Sequence, residues 1–336
     1  MSDTAASIRT RSTAQSVSAL VVLHAALIST LTLLFVWPAA TAEPRDVPIG
    51  MVGPSAAVQQ VGDRIDAQQE GALALIAFDS VDDARQAIKD RAVYGAIVLG
   101  EVPEALVATA ASPAVAQLLT DLTRAIVESS AAQAGIPVVP VRVTDVVTFT
   151  EADPRGAVFG SLALPLVIGG ISLAAMAALR LSSARARFAL VGVASITTGL
   201  ALTGIMAGWL GVLPGDVILT ATAMSAALAA IAFSIVGAHA LLGMAGFGTV
   251  AAVLFLLGNP LSGIALPPEF YLGGWGAVGQ AMPVGAVFDL LRTISFFPSA
   301  DATAPWLVLG TWSAAGVFAL VIGGAMRRGS ESRHPA

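Results

Sequence analysis

Six stretches of the chain stay apolar for about 20 residues each, the length a helix needs to cross a hydrocarbon layer of about 30 Å. They cover residues 17–37, 157–179, 188–210, 217–238, 241–257 and 306–326, and none holds an Asp, Glu, Lys or Arg. The fifth is the shortest, and only His239 and a glycine-rich bend at Gly243, Gly246 and Gly248 set it apart from the fourth. Between the first and second stretches the pattern changes. Residues 47–147 carry short apolar runs separated by charged stretches, as a small α/β domain does. Strands are predicted at 47–52, 73–78, 94–99, 105–109 and 138–143. A helix is predicted after Ser80, with Asp83 three residues on, acids in its first turn and Arg85, Lys89 and Arg91 towards its end. A second is predicted over 113–134, where Val115, Leu118, Leu119, Leu122, Ile126 and Val127 give one buried face.

Composition strengthens the membrane reading. The chain is 56% hydrophobic and 12% charged with a mean hydropathy of +0.82, where soluble domains carry about 25% charged residues. The fold class expected is therefore an α-helical polytopic membrane protein of about six transmembrane helices with an inserted small α/β extracytoplasmic domain. There is no Cys, and the three His (His24, His239, His334) are far apart, so thiol chemistry and a histidine metal cluster are not expected. The domain over 43–155 has no His, and Asp79, Asp82 and Asp83 are accounted for by a helix N-terminus. With no G-x-x-x-x-G-K-[ST] loop either, the chain is read as no enzyme, with no cofactor and no metal.

Charge placement sets an expected orientation, because Lys and Arg near helix ends stay in the cytoplasm. Arg9 and Arg11 precede the first stretch, Arg180, Arg185 and Arg187 join the second to the third, and Arg327, Arg328 and Arg333 follow the last. Residues 43–155 instead carry sixteen acids against eight bases. Residues 1–16 and the tail 327–336 are thus read as cytoplasmic, 17–42 as the first transmembrane helix, 43–155 as outside, and 156–326 as a five-helix membrane domain of a plasma (inner) membrane protein. A cleavable signal peptide is the rival reading of the N-terminus, since Ala40-Thr41-Ala42 follows the first stretch, whose length favours a retained helix. Gly204 and Gly208 at G-x-x-x-G spacing, with Gly169, Gly170, Gly323 and Gly324, suit close helix packing, within the chain or across a dimer face. Among ionisable groups only His24 lies within a stretch, and His239 stands between the fourth and the fifth, which disfavours proton-driven transport by this chain alone.

Residues 258–304 are broken by Pro260, Pro267, Pro268, Pro283 and Pro298, so short helices at the outer interface are expected rather than a further span. Asp289 and Arg292 are placed to pair on one helical face, and Trp275, Phe288, Phe296 and Phe297 suit a water–lipid boundary. The run Gly258-Asn259-Pro260-Leu261-Ser262-Gly263, then Pro267-Pro268-Glu269, then Met282-Pro283-Val284-Gly285-Ala286 with Leu291-Arg292, together with the order of helices, resembles the ABC-2-type permease superfamily. Within it the chain looks most like the YhgE/Pip-like (phage infection protein-like) branch. The resemblance implies an export permease subunit for a lipid-like or amphipathic substrate. It further implies a homodimer or a heterodimer with a related permease, driven by a separate cytoplasmic P-loop ATPase. Arg180, Arg185 and Arg187 become the candidate ATPase docking site, and Asn259, Pro260, Gly263, Pro267, Pro268, Glu269, Asp289 and Arg292 the candidate extracytoplasmic interfacial motif. The alternative is a non-transporting membrane scaffold or surface receptor whose outer domain binds a cell-envelope partner. The lipid bilayer is a partner in both readings, and nucleic acid in neither.

Overall fold

The computed structural model describes residues 2–331; Arg333 and His334 lie outside the described residues. Among the described residues five helices are long and apolar enough to cross a membrane: Val17–Ala40, Ala157–Arg180, Ala184–Trp209, Val217–Leu256 and Thr303–Met326. The first lies in α1 (Ser2–Ala40), which forms a unit by itself, with its apolar side chains from Val17 to Trp37 largely exposed and Thr30 and Thr32 bonded back to the carbonyls of Ala26 and Ile28.

One of the five covers both the fourth and the fifth predicted stretches, and a single glycine divides it. Stretches 217–238 and 241–257 belong to a single 40-residue element that breaks at Gly243, where φ is 65° and ψ −146°. Such a backbone is open to glycine and strained for other residues. A Cβ added to Gly246 would lie 2.3 Å from the Ala238 carbonyl oxygen, whereas a straight helix would separate these positions by about 12 Å along its axis. The chain therefore turns back at Gly243 and brings residues 246–247 against 238–239. The His239 and Phe247 rings meet edge to face across the bend, 6.5 Å apart.

The α/β domain holds β1 (Val47–Val52), α2 (Ser55–Gln68), β2 (Leu73–Phe78), α3 (Val81–Lys89), β3 (Gly95–Val98), β4 (Glu104–Val107), α4 (Pro113–Ala134) and β5 (Arg142–Asp145). The strands form one sheet in the order β2-β1-β3-β4-β5, parallel except for the antiparallel β3–β4 pair. Local signals set both predicted helices. Ser80 Oγ accepts the Asp83 amide at 3.1 Å, and Ser112 Oγ the Val115 amide at 3.3 Å, supplying partners to amides that a helix start leaves open. Pro113 occupies the first turn of α4, and Gly135 ends it in the left-handed region at φ 63°.

Alternation along the strands sends side chains to two cores. Ile49, Met51, Ile97 and Val107 pack with Val115 and Leu119 of α4, and Phe270 from the proline-broken segment joins them. On the other face Ala84, Ile88 and Leu106 belong to a core continuous with that of the helices. The domain is thus packed into the rest of this unit on one sheet face and bridged to it on the other.

The helices after the domain are α5 (Ala157–Ser161), α6 (Ala163–Arg180), α7 (Ala184–Thr203, prolonged by a π-helical turn Gly204–Trp209), α8 (Val217–Leu256), α9 (Trp275–Gln280), α10 (Pro283–Phe296) and α11 (Thr303–Glu331). Small residues bring α8 and α11 together: an added Cβ at Gly316 would lie 2.3 Å from the Phe233 carbonyl carbon, and one at Gly323 2.5 Å from the Ala240 oxygen. Gly170 meets Ile231 in the same way, while nothing lies within 4 Å of an added Cβ at Gly204 or Gly208.

Short helices do occupy the proline-broken segment, yet α10 is buried along nearly its whole length. Phe288, Phe296 and Phe297 are no boundary residues but buried ones, which corrects the expectation. Phe288 and Phe296 stack edge to face with Phe159, and Phe296 with Phe149, so their aromatic area is spent on joining helices rather than facing lipid.

Candidate functional site

A cleft of about 580 Å³ lies where the α/β domain meets the proline-broken segment, lined by Arg91 and Tyr94 from the domain and by Gly263, Glu269, Asp289 and Arg292 from the segment. Arg91 follows the last turn of α3 in the left-handed region, φ 58°, which turns its side chain across the seam. Its Nη2 donates to Asp289 Oδ1 at 2.7 Å, its Nη1 donates to Thr293 Oγ1, and its guanidinium stands 5.6 Å from the Phe297 ring centre. Beside it, the Tyr94 hydroxyl donates to Glu269 Oε2 at 2.9 Å. Burial, followed by the Glu269 charge, holds the Tyr94 phenol far above the usual range, so it acts as a donor.

Arg292 is 6% exposed. Its Nη1 and Nη2 donate to the Gly263 and Ile264 carbonyls at 3.3 and 3.4 Å, and its guanidinium lies 5.6 Å from the Phe159 ring centre. Burial first, then the Arg91 charge, lowers its pKa to about 10, with Asp289 acting the other way, so it remains a cation at neutral pH. Asp289 makes its ion pair with Arg91, not with Arg292 as expected. Both side chains do stand on the same side of α10, but the shorter carboxylate meets the domain while the longer guanidinium reaches back to the 263–264 carbonyls.

The remaining motif residues hold the segment in shape. The Asn259 carbonyl accepts from Ser262 Oγ at 2.8 Å, the Pro260 carbonyl from the Tyr271 hydroxyl at 3.0 Å, and the Pro267 carbonyl from the Phe270 amide at 3.0 Å. Pro268 starts the turn that presents Glu269. Arg45 Nη1 donates to the Phe270 carbonyl at 2.9 Å and Ser299 Oγ to the Lys89 carbonyl at 3.2 Å, adding two further bonds across the seam. Arg91 and Tyr94 were missed as site residues. They lie 198 and 175 positions from their partners, and Arg91 reads equally well as a cation at a helix C-terminus.

A second cleft, about 1120 Å³, opens at the other end of α6 and α11, where Leu179, Arg180, Arg185, Phe188, Leu320 and Val321 line it with Arg187 and His239. Pro305 and Val308 of α11 line the seam, whereas Leu320 and Val321 line this arginine cleft. The distance between the two along α11 is about 20 Å at 1.5 Å per residue. Arg187 is buried, its Nε donating to the Leu181 carbonyl at 2.9 Å and its Nη2 to the Ala178 carbonyl at 3.1 Å, so it fastens the end of α6. That removes it from any docking surface and leaves the exposed Arg180 and Arg185 of the three. Among the described residues no group of three His, Cys, Asp or Glu side chains converges, and what both clefts offer is charge and hydrogen-bond donors for holding a molecule. No family model, curated protein or solved structure matches the chain.

Proposed function

We propose that this chain is a membrane permease subunit of the ABC-2 type, exporting a lipid-like or amphipathic molecule with a separate cytoplasmic ATPase. In this reading both termini and the arginine cleft are cytoplasmic and the α/β domain is outside. The observation that carries it is that one apolar helix, α11, lines both clefts, which lie at its two ends. A plain anchor has no need of a polar opening at each end of one bundle. An exporter of amphipathic molecules needs a place for a polar head at each surface and apolar helix faces between them. The doubling back at Gly243 supports the orientation: counted as two crossings, its arms return the last helix to the side of the Arg180–Arg187 turn, where its own Arg327 and Arg328 follow. A second permease subunit, identical or related, would sit on the open Gly204 and Gly208 face of α7.

Purification of the intact chain in mild detergent tests the reading directly. A P-loop ATPase should co-purify and should be lost in the double variant Arg180→Glu/Arg185→Glu, which spares the structural Arg187. Native preparations that repeatedly hold no ATPase, from cells whose efflux is unchanged by deletion, would leave the scaffold or receptor reading instead. Orientation has its own test, helped by the absence of native Cys. An impermeant thiol reagent should label Glu128→Cys on intact cells and reach Ser182→Cys only after lysis; the reverse pattern overturns the topology.

A further inference from the structure

We infer that the arginine cleft is a binding site for an anionic phospholipid, its phosphate held by Arg180 and Arg185 and its acyl chains lying along Leu179, Phe188 and Val321. Its charge is the first argument. Three arginines and His239 line the cleft, and among the described residues no Asp or Glu does. Arg187 has its place explained by the carbonyls of Ala178 and Leu181. Arg185 does not: it stands in the first turn of α7, at the positive end of that 20-residue helix, where a cation is disfavoured and an anion favoured. Neither Arg185 nor Arg180 has an ion-pair or hydrogen-bond partner among the described residues. Ser183 Oγ takes only the Ala186 amide, at 3.1 Å, and the helix start leaves further amides directed at the same place. A negative group here would meet two arginines and a helix dipole together.

The walls identify the kind of anion. Leu179, Phe188 and Val321 are exposed apolar side chains next to the charged rim, so a free inorganic ion would use only half of the cleft. At about 1120 Å³ the space exceeds the roughly 300–1,000 Å³ of ordinary small-molecule pockets and admits a headgroup with part of its chains. Basic pockets between helices at a membrane surface take lipid phosphates by the same physics. The inference rests on the chain lying in a bilayer and not on its transporting anything.

The whole chain, reconstituted in nanodiscs of equal phosphatidylglycerol and phosphatidylcholine and released for native mass spectrometry, gives the test. With about 1 kcal/mol of attraction for each arginine, retained lipid should favour phosphatidylglycerol about thirtyfold. Arg180→Gln/Arg185→Gln should bring the preference to within about twofold of unity, because the electrostatic part is gone. Val321→Trp, which narrows the apolar wall from an exposed position, should reduce the amount of lipid retained. Equal retention of the two lipids by the parent chain, or an undiminished preference in the double glutamine variant, overturns the site. Either result stands whether or not the chain proves to be a permease, since the ATPase and efflux measurements are made separately.

Discussion

The seam and the arginine cleft both gather arginines, but the chain answers the charge at one and leaves it open at the other. At the seam Arg91 meets Asp289, Thr293 and the face of Phe297, and Arg292 meets two carbonyls and the face of Phe159. At the other end of α6, Arg180 and Arg185 stand exposed with no partner among the described residues. A charge withdrawn from water must be matched within the fold, so matched arginines mark a joint. A charge left in the open costs little and is available to something outside the chain. The difference separates a region built for shape from one built for contact.

The sharpest break in this comparison is expected from Asp289→Ala. It removes the only carboxylate that pairs with Arg91 among the described residues and leaves two guanidinium groups facing each other at a largely desolvated seam. Loss of one partner from such a pair should cost about 2 kcal/mol, below the range for a fully buried pair because both side chains keep some exposure. Thermal unfolding in detergent, followed through tryptophan fluorescence, reads it. A parent-like midpoint would mean that the pair does not join the domain to α10. The double variant Arg91→Met/Asp289→Leu should recover part of the loss, since neither charge then remains to be matched.

Alkaline pH tests the same seam without mutation. The chain has two tyrosines. Burial raises both Tyr94 and Tyr271, and at Tyr94 the Glu269 charge adds to it. A phenol with a raised folded pKa contributes stability that is whole below its unfolded value near pH 10 and is lost as pH climbs above it. The loss is about 1.4 kcal/mol per pH unit for each such group. Arg292 acts in the opposite sense: its folded pKa of about 10 lies below its ordinary value, so the cost of burying its charge is relieved above that pH. Folded protein should therefore show almost no phenolate absorbance slightly above pH 10, and the band should appear together with unfolding. A smooth titration near pH 10 with the fold intact would show that the tyrosines are solvated.

How far these features were legible follows from how local their causes are. The helix after Ser80 announces itself through that cap and its charged turns, the helix over 113–134 through its apolar spacing, and the strands at 47–52 and 73–78 through unbroken apolar runs; the structure has each of them there, while the strand expected at 138–143 falls at 142–145. Glu269, Asp289 and Arg292 enter one motif through the resemblance of the proline-broken segment to a known family, and their spacing suggests an Asp289–Arg292 pair that the structure does not form. Their partners were not legible, because a contact between Arg91 and Asp289 leaves no trace in the residues near either. Phe288 and Phe297 show a different failure. An aromatic beside an apolar run has the same composition whether it faces lipid or a packed core, and only the approach of Phe149 and Phe159 decides between them. At Gly243 the glycines signalled a bend, but not that residues 246–247 would come against 238–239.

Smaller effects are expected where the chain leaves space or charge unused. At Gly204 and Gly208 no atom stands within 4 Å of an added Cβ, so Leu at both positions should alter stability by less than about 1 kcal/mol while lowering the dimer fraction in cross-linking, if a second subunit packs there. Unchanged cross-linking would move the partner to another face.

The smallest change in stability belongs to the arginine cleft. Arg180→Ala and Arg185→Ala should each shift unfolding in detergent by no more than about 0.5 kcal/mol, because neither side chain has a hydrogen-bond or ion-pair partner among the described residues. Removing Arg185 even takes a cation away from the positive end of α7. In a bilayer containing anionic lipid the sign should reverse, since a phosphate bound to the folded chain stabilises it and the variants lose that contribution. The useful quantity is thus the difference between two melting shifts for one substitution, near zero in neutral detergent and negative in anionic nanodiscs. A shift of the same size in both surroundings would show that Arg180 and Arg185 serve the fold, as Arg91 does, and the contrast between the two clefts would fail.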